Sequence, residues 1–269
     1  MIKIADAFSK GKAFIPFITC GDPSLAVTEK LVLAAAEAGA DLIELGIPFS
    51  DPTAEGPVIQ AANVRALSNG VTTDKIFEMV IRIRKKTAVP MVFMTYANVV
   101  YAYKSDGKTP ERGIAHFAGR AADAGINGLI LPDVPFEEKE EFDGPCRAAG
   151  LELVSLIAPT SHDRIKAIAA KASGFVYCVS SLGVTGVRQK ITTDVDAMVS
   201  LVRQVTDVPV AIGFGIATPQ QAQKMAAKSD GAIVGSAIIK LMAQYGADSV
   251  PYVRDHIQKM ASAVHSLSV

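Results

Sequence analysis

The sequence predicts a single-domain (β/α)8 barrel of the TIM type, entered by an N-terminal helix. Short apolar runs recur eight times along the 269 residues, helical segments fall between them, and no linker, low-complexity tract or charge block interrupts the alternation. Barrels of this kind occupy such a length as one unit, so residues 1–269 are expected to form one domain.

The strand candidates are residues 14–19, 41–46, 90–95, 128–131, 152–158, 174–180, 208–213 and 230–235. Each is a continuous apolar run with β-branched or aromatic residues, not a strict alternation, which is the pattern of parallel strands covered on both faces. Helical periodicity marks residues 24–38, 73–86, 111–124, 137–149, 162–172, 193–205 and 219–228, with Gly39, Gly125 and Gly150 placed as stops. Residues 1–12 set Ile2, Ile4, Ala5 and Phe8 among Lys3, Asp6, Lys10 and Lys12, which reads as a short amphipathic helix and not as a signal peptide. Alternation alone also admits an open doubly wound sheet; eight strands after a leading helix favour closure. The stretch 101–113 is polar and turn-rich, an irregular excursion on the side where barrels carry functional loops.

With 27 basic and 27 acidic residues the net charge is 0, which removes the broad attraction that nucleic acid or an anionic membrane exploits. Small-molecule and protein partners remain. Cys20, Cys146 and Cys178 are scattered, so neither a disulfide framework nor a zinc site is expected, and a reducing cytoplasmic setting fits. No apolar run reaches the roughly 18 residues that a membrane span needs. The histidines His116, His162, His256 and His265 read as surface or capping residues, with no metal spacing among them.

Barrel chemistry sits at the carboxyl ends of strands and in the loops that follow. Glu44 is the only charged residue in Leu42-Ile43-Glu44-Leu45-Gly46, and burial there is expected to raise its pKa and suit it to proton transfer. A structural pairing with an arginine is the alternative. Glu55 precedes Pro57, which opens a helix through Ile59, so it is either a second acid over the mouth or a helix-terminal charge. Glycine-rich turns follow three later strands: Gly183 to Gly186, Gly213 to Ile216, and Gly235-Ser236-Ala237. Side-chain-free turns at consecutive strand ends, the last opening a helix, form a seat for an anion, so a phosphorylated substrate is expected. Phe17, Tyr96 and Tyr177 lie in or just after strands and suit either core filling or a flat apolar ligand.

The segments Phe17-Ile18-Thr19-Cys20-Gly21-Asp22-Pro23, Glu44 to Pro52, Gly183 to Gly186 and Gly213 to Ile216 resemble the tryptophan synthase alpha-subunit family, in order and from near the N-terminus to Ala237. The resemblance implies a retro-aldol lyase that cleaves indole-3-glycerol phosphate to indole and glyceraldehyde 3-phosphate. It implies Glu44 as the proton-transferring acid and Glu55 as the acid that holds the indole N–H. It places Phe17, Ile59, Tyr96, Ile130 and Tyr177 around the indole, Gly186, Gly215, Gly235 and Ser236 at the phosphate, and Thr185 in loop closure. Pro48, Asp51 and Pro52 match the loop that communicates with a beta subunit carrying pyridoxal phosphate, in an alpha2beta2 assembly; no cofactor or metal is implied in this chain. The family's usual second acid is Asp in Ala-Asp-Gly-Pro, whereas this chain has Ala54-Glu55-Gly56-Pro57. With the rest of the site intact, Glu55→Asp is expected from sequence to preserve or raise activity.

Overall fold

The computed structural model describes residues 3–104, 109–179, 194–213 and 215–267. Strand β1 (Ala13–Thr19) leads to helix α1 (Leu25–Glu37), β2 (Ile43–Gly46) to α2 (Pro57–Ser68) and α3 (Thr73–Arg84), and β3 (Met91–Met94) to α4 (Ala97–Ala102) and α5 (Pro110–Ala124). Then β4 (Gly128–Ile130) is followed by α6 (Lys139–Ala148), β5 (Glu152–Ile157) by α7 (His162–Ala170), and β6 (Val176–Val179) by α8 (Val195–Arg203). Finally β7 (Val210–Gly213) precedes α9 (Pro219–Ala226), and β8 (Gly231–Val234) precedes α10 (Ser236–Tyr245) and α11 (Ser249–His265). The eight strands close into a parallel barrel in sequence order, with β1 pairing both β2 and β8. The open sheet is thereby excluded.

The strands are buried at every residue except Glu152 and Leu156 of β5, because the interior covers one face and the helical jacket the other. Phe77 of α3, Phe93 of β3, Tyr103 and Phe117 of α5 meet edge to face in one such layer, with ring centroids 5.4 to 6.4 Å apart. Cys20, Cys146 and Cys178 are free thiols buried in the core.

Several local expectations change. The N-terminal segment forms only a 3-10 turn, Ile4–Phe8, instead of a helix over residues 1–12. Ile4 is fully buried and plugs the floor of the barrel, since a Cβ on Gly128 would lie 2.8 Å from its Cδ1 and one on Gly174 3.2 Å. Strand β2 begins at Ile43, not at residue 41, because the Asp41 carboxylate accepts from the Phe14 N–H at 2.7 Å and meets His265 Nε2 at 2.7 Å. That contact fastens the end of α11 to the barrel. Helix α11 was not anticipated; it buries Val253, Ile257, Met260, Ala261 and Val264 along one face. The expected excursion over 101–113 instead contains the end of α4 and the first turn of α5, and residues 105–108 lie outside the described residues. His256 is half-buried, not a surface or capping residue: its Nε2 is buried without a hydrogen-bond partner, and burial followed by the Lys259 charge lowers its pKa.

One ion pair joins the site's two flanking segments. Asp22, 1% exposed after β1, receives both Nε and Nη2 of Arg65 of α2 at 2.8 and 2.7 Å, and Asn69 Nδ2 donates to Pro23 O at 2.7 Å. Removing the half-exposed partner strands the buried one, so Arg65→Met should cost about 3 kcal/mol and Asp22→Asn only about 1 kcal/mol, in denaturant unfolding. Equal costs would show that the pair is not asymmetric in this way.

Candidate active site

Strand β1 presents Phe17 opposite Glu44 of β2, and the two share the register of adjacent parallel strands. Gly46, two pairs further along, supplies the space for the Phe17 ring: a Cβ there would lie 2.5 Å from Phe17 Cζ. Tyr177 of β6 uses Gly213 of β7 in the same manner, with a Cβ at that position 2.5 Å from its hydroxyl. Paired glycines thus let two aromatic rings lie flat across the mouth. A narrow cavity of about 30 Å³ lies at the mouth, lined by Phe17, Glu44, Glu55, Ile59, Met94 and Tyr177 together with Gly215, Ile216, Ile233, Gly235 and Ser236. Beyond Met94 a second cavity of about 290 Å³ lies against Leu131, Val134, Val154 and Leu156.

Glu44 is 1% exposed, and its Oε1 has no hydrogen-bond partner. Burial, and then the Glu55 charge, push its pKa up to about 8. Among the described residues no arginine neutralises it, so the structural pairing considered for Glu44 is not seen there. Glu55 is 4% exposed, which makes it a wall of the cavity and not a surface charge at a helix start. Pro57 is the first residue of α2 and Gly56 its N-cap, so Glu55 leaves the loop immediately above Ile59. Burial lifts its pKa to about 7, opposed by hydrogen bonds from Asn63 and Tyr96. Asn63 Nδ2 donates to Glu55 Oε2 at 2.9 Å. Two carboxyls in one apolar cavity, with no offsetting cation among the described residues, cannot both ionise cheaply, and the pair is held in the proton-exchanging range near neutrality.

The same cavity is lined by Gly215, with φ of +77°, and by the start of α10 at Gly235-Ser236. Gly235 has a negative φ, and a Cβ there would meet Phe17 only at 3.4 Å. Neither strain nor crowding demands glycine at 235, so the space it leaves faces the cavity, beside the first unpaired N–H groups of a helix. The arrangement can seat an anion.

Of the residues singled out in the sequence, Phe17, Glu44, Glu55, Ile59, Tyr177, Gly215, Gly235 and Ser236 converge on this cavity. Tyr96 stands behind it: its ring packs on Phe49 at 5.2 Å and its hydroxyl accepts from Ala54 N–H at 3.2 Å and bonds Glu55. Ile130 is fully buried in register with Met94 and Val154 and does not line the cavity. Thr185 and Gly186 lie outside the described residues. In the loop after β2, Pro48 is buried, Pro52 half-buried and Asp51 exposed, with Ser50 Oγ donating to Asp51 Oδ2 at 2.5 Å. Sequence reasoning missed Met94, Ile233 and Asn63; the first two sit in apolar runs whose inward face only the register reveals. Among the described residues no group of side chains is arranged to hold a metal, and no helix is long and apolar enough to cross a membrane.

A closed barrel with a buried acid pair facing a glycine-lined anion seat defines an acid–base enzyme of small phosphorylated molecules with an apolar part. More narrowly, the chain belongs to the tryptophan synthase alpha chain family, whose model matches residues 5–266. The alpha chain of Lacticaseibacillus casei is 49% identical over 244 residues, 91% of this chain and 88% of that one. That of Lactiplantibacillus plantarum is 48% identical over 265 residues, 98% of this chain and 97% of that one. Among solved structures, a tryptophan synthase complex from Pyrococcus furiosus is similar at a TM-score of 0.84 and 31% identity, covering 94% of this chain and 99% of that one. The family's known role is the cleavage of indole-3-glycerol phosphate and the passing on of indole.

Proposed function

We propose that this chain, acting as one barrel domain, is a carbon–carbon lyase that splits indole-3-glycerol phosphate into indole and D-glyceraldehyde 3-phosphate by a retro-aldol step. What supports this most is the pair of buried carboxyls, Glu44 and Glu55, with no cation beside them among the described residues, in a cavity that Gly215, Gly235 and Ser236 also line. Glu44, the more strongly raised of the two, starts protonated and gives its proton to C3 of the indole ring. It then takes the hydroxyl proton of the adjoining glycerol carbon. The carbon–carbon bond breaks, its electron pair returns to the ring, and the hydroxyl-bearing carbon leaves as the aldehyde, so Glu44 ends as it began. Glu55, ionised, accepts the ring N–H and stabilises the positive charge of the protonated ring. Its negative charge also favours the protonated form of Glu44, so one ionisation sustains both roles.

Phe17, Ile59, Met94 and Tyr177 hold the ring, with Tyr96 and Ile130 supporting them from behind. Gly215, Gly235 and Ser236, together with Gly186, take the phosphate, and Thr185 belongs to the closing loop. Pro48, Asp51 and Pro52 belong to the loop that communicates with a beta subunit in an alpha2beta2 assembly in the cytoplasm. Pyridoxal phosphate belongs to that partner, whereas the cleavage needs only proton transfers in this chain.

Indole release from indole-3-glycerol phosphate, measured with and without a tryptophan synthase beta subunit, tests the reading. Slow release alone and at least a roughly tenfold rise on mixing are expected, because a partner that closes the loop after β2 over the cavity would hold the substrate against the two acids. Equal release in both would make the chain a free-standing lyase. No indole in either would remove the lyase assignment.

A further inference from the structure

We infer that Asn63 is the positioning residue of this site: with Tyr96 it clamps the Glu55 carboxylate, and the length of that clamp is matched to the glutamate this chain carries. The inference rests on the reading of Glu55 as the group that receives the ring N–H. It begins with helix α2, where Asn63 lies one turn beyond the cavity-lining Ile59 on the same face and is 4% exposed. Its Nδ2 donates to Oε2 of Glu55 at 2.9 Å. Tyr96, 2% exposed, brings a second donor from the far side of the loop while its oxygen receives the Ala54 N–H. The main chain of residue 55 is held as well, with its N–H on Pro52 O at 3.1 Å and its carbonyl receiving Gln60 Nε2 at 2.7 Å. Helix α2 is in turn tied to the segment after β1 by the Arg65–Asp22 pair.

The arrangement has two consequences for chemistry. A carboxylate this deeply buried, with no cation beside it among the described residues, gives up its charge unless donors hold it, and the neutral Asn63 amide on Oε2 holds the charge without neutralising it. The reach is also fixed, because both ends of the contact sit on pinned backbone. An aspartate at 55 falls short by one carbon–carbon bond, about 1.5 Å, which takes its carboxylate out of hydrogen-bond range of Asn63. The exchange of Asp for Glu in the Ala54-Glu55-Gly56-Pro57 segment is therefore accommodated by the amide two helical turns further on.

The clamp is tested on the whole chain by titrating the side-chain carboxyls by carbon-13 NMR, with the Glu55 resonance assigned as the one absent from Glu55→Gln. In Asn63→Leu, which keeps the size and removes the donor, the Glu55 midpoint should rise by about half a pH unit or more. The acid limb of kcat/KM should move with it, and kcat should fall about tenfold with little change in KM. A folded Asn63→Leu with an unmoved Glu55 midpoint overturns the clamp. A midpoint that moves while the pH profile stays put leaves the clamp standing and removes Glu55 from catalysis. Exchanging the lengths gives an independent arm: Glu55→Asp and Asn63→Gln should each lose about tenfold in kcat, and the double variant should recover to within about threefold of the parent. Losses that simply multiply would overturn the matched reach, whether or not Asn63→Leu folds.

Discussion

Glu44→Gln should abolish indole formation while making the protein harder to unfold above neutral pH. The amide keeps the shape of the side chain and cannot exchange protons, so kcat should fall by about 10³-fold or more, with KM within a few-fold of the parent. The stability effect follows from the raised pKa. A carboxyl held at about 8 in the folded chain and near its ordinary value when unfolded binds its proton more tightly in the native state. Its contribution is fully present below the unfolded value and is lost as pH rises through the folded one. Between about pH 4.5 and 8 the parent protein should therefore lose stability that Glu44→Gln retains, a difference on the order of 4 kcal/mol at pH 8.5. Paired urea titrations at pH 5 and pH 8.5 measure it. A variant that unfolds like the parent at both pH values would mean that Glu44 is solvated, and near-normal turnover would remove it from the mechanism altogether.

The second large effect is at residue 55. Glu55→Gln should lower kcat by about 10²- to 10³-fold, since a neutral amide offers no charge against the protonated ring. The acid limb of the parent's pH profile should fall near 7, where this carboxyl loses its proton, and should be missing from the variant. Activity should also decline above about 8, as Glu44 ionises and can no longer supply the first proton. For Glu55→Asp the structure reverses the expectation drawn from sequence. The shorter acid restores the family's usual residue, but the surrounding donors are placed for the longer one, so a loss of about tenfold is expected where retention or gain was anticipated. Steady-state kinetics of the two variants, run from pH 5.5 to 9.5, separate charge from reach.

Much of this site is legible in the sequence for a physical reason. A single carboxylate inside a wholly apolar strand, as at Glu44, breaks the local rule so sharply that chemistry is the natural explanation. Glycines that close strand ends, as at 215 and 235, likewise stand out against the apolar runs before them. Asn63 gives no such sign. An amide within a helix that also contains Gln60 is unremarkable until the fold brings it under Glu55, two turns back. Met94 and Ile130 show the same limit: both lie in continuous hydrophobic strands, where nothing local tells which of two neighbouring buried residues faces the mouth. The chain's ends were read poorly for a different reason. Ile4 is fixed by what it plugs and not by helix propensity, and α11 is held by packing along its length.

The three cysteines share a situation whose effect reaches beyond the site. Burial pushes the Cys146 and Cys178 thiols up to about 12 and raises Cys20 further still. Since sulfur reacts as the thiolate, none of them presents a nucleophile to peroxide or to an alkylating agent while the native packing holds. Oxidative damage to this molecule is thus gated by breathing: each sulfur is consumed only as fast as its own part of the wall comes apart, and the barrel serves as its own antioxidant.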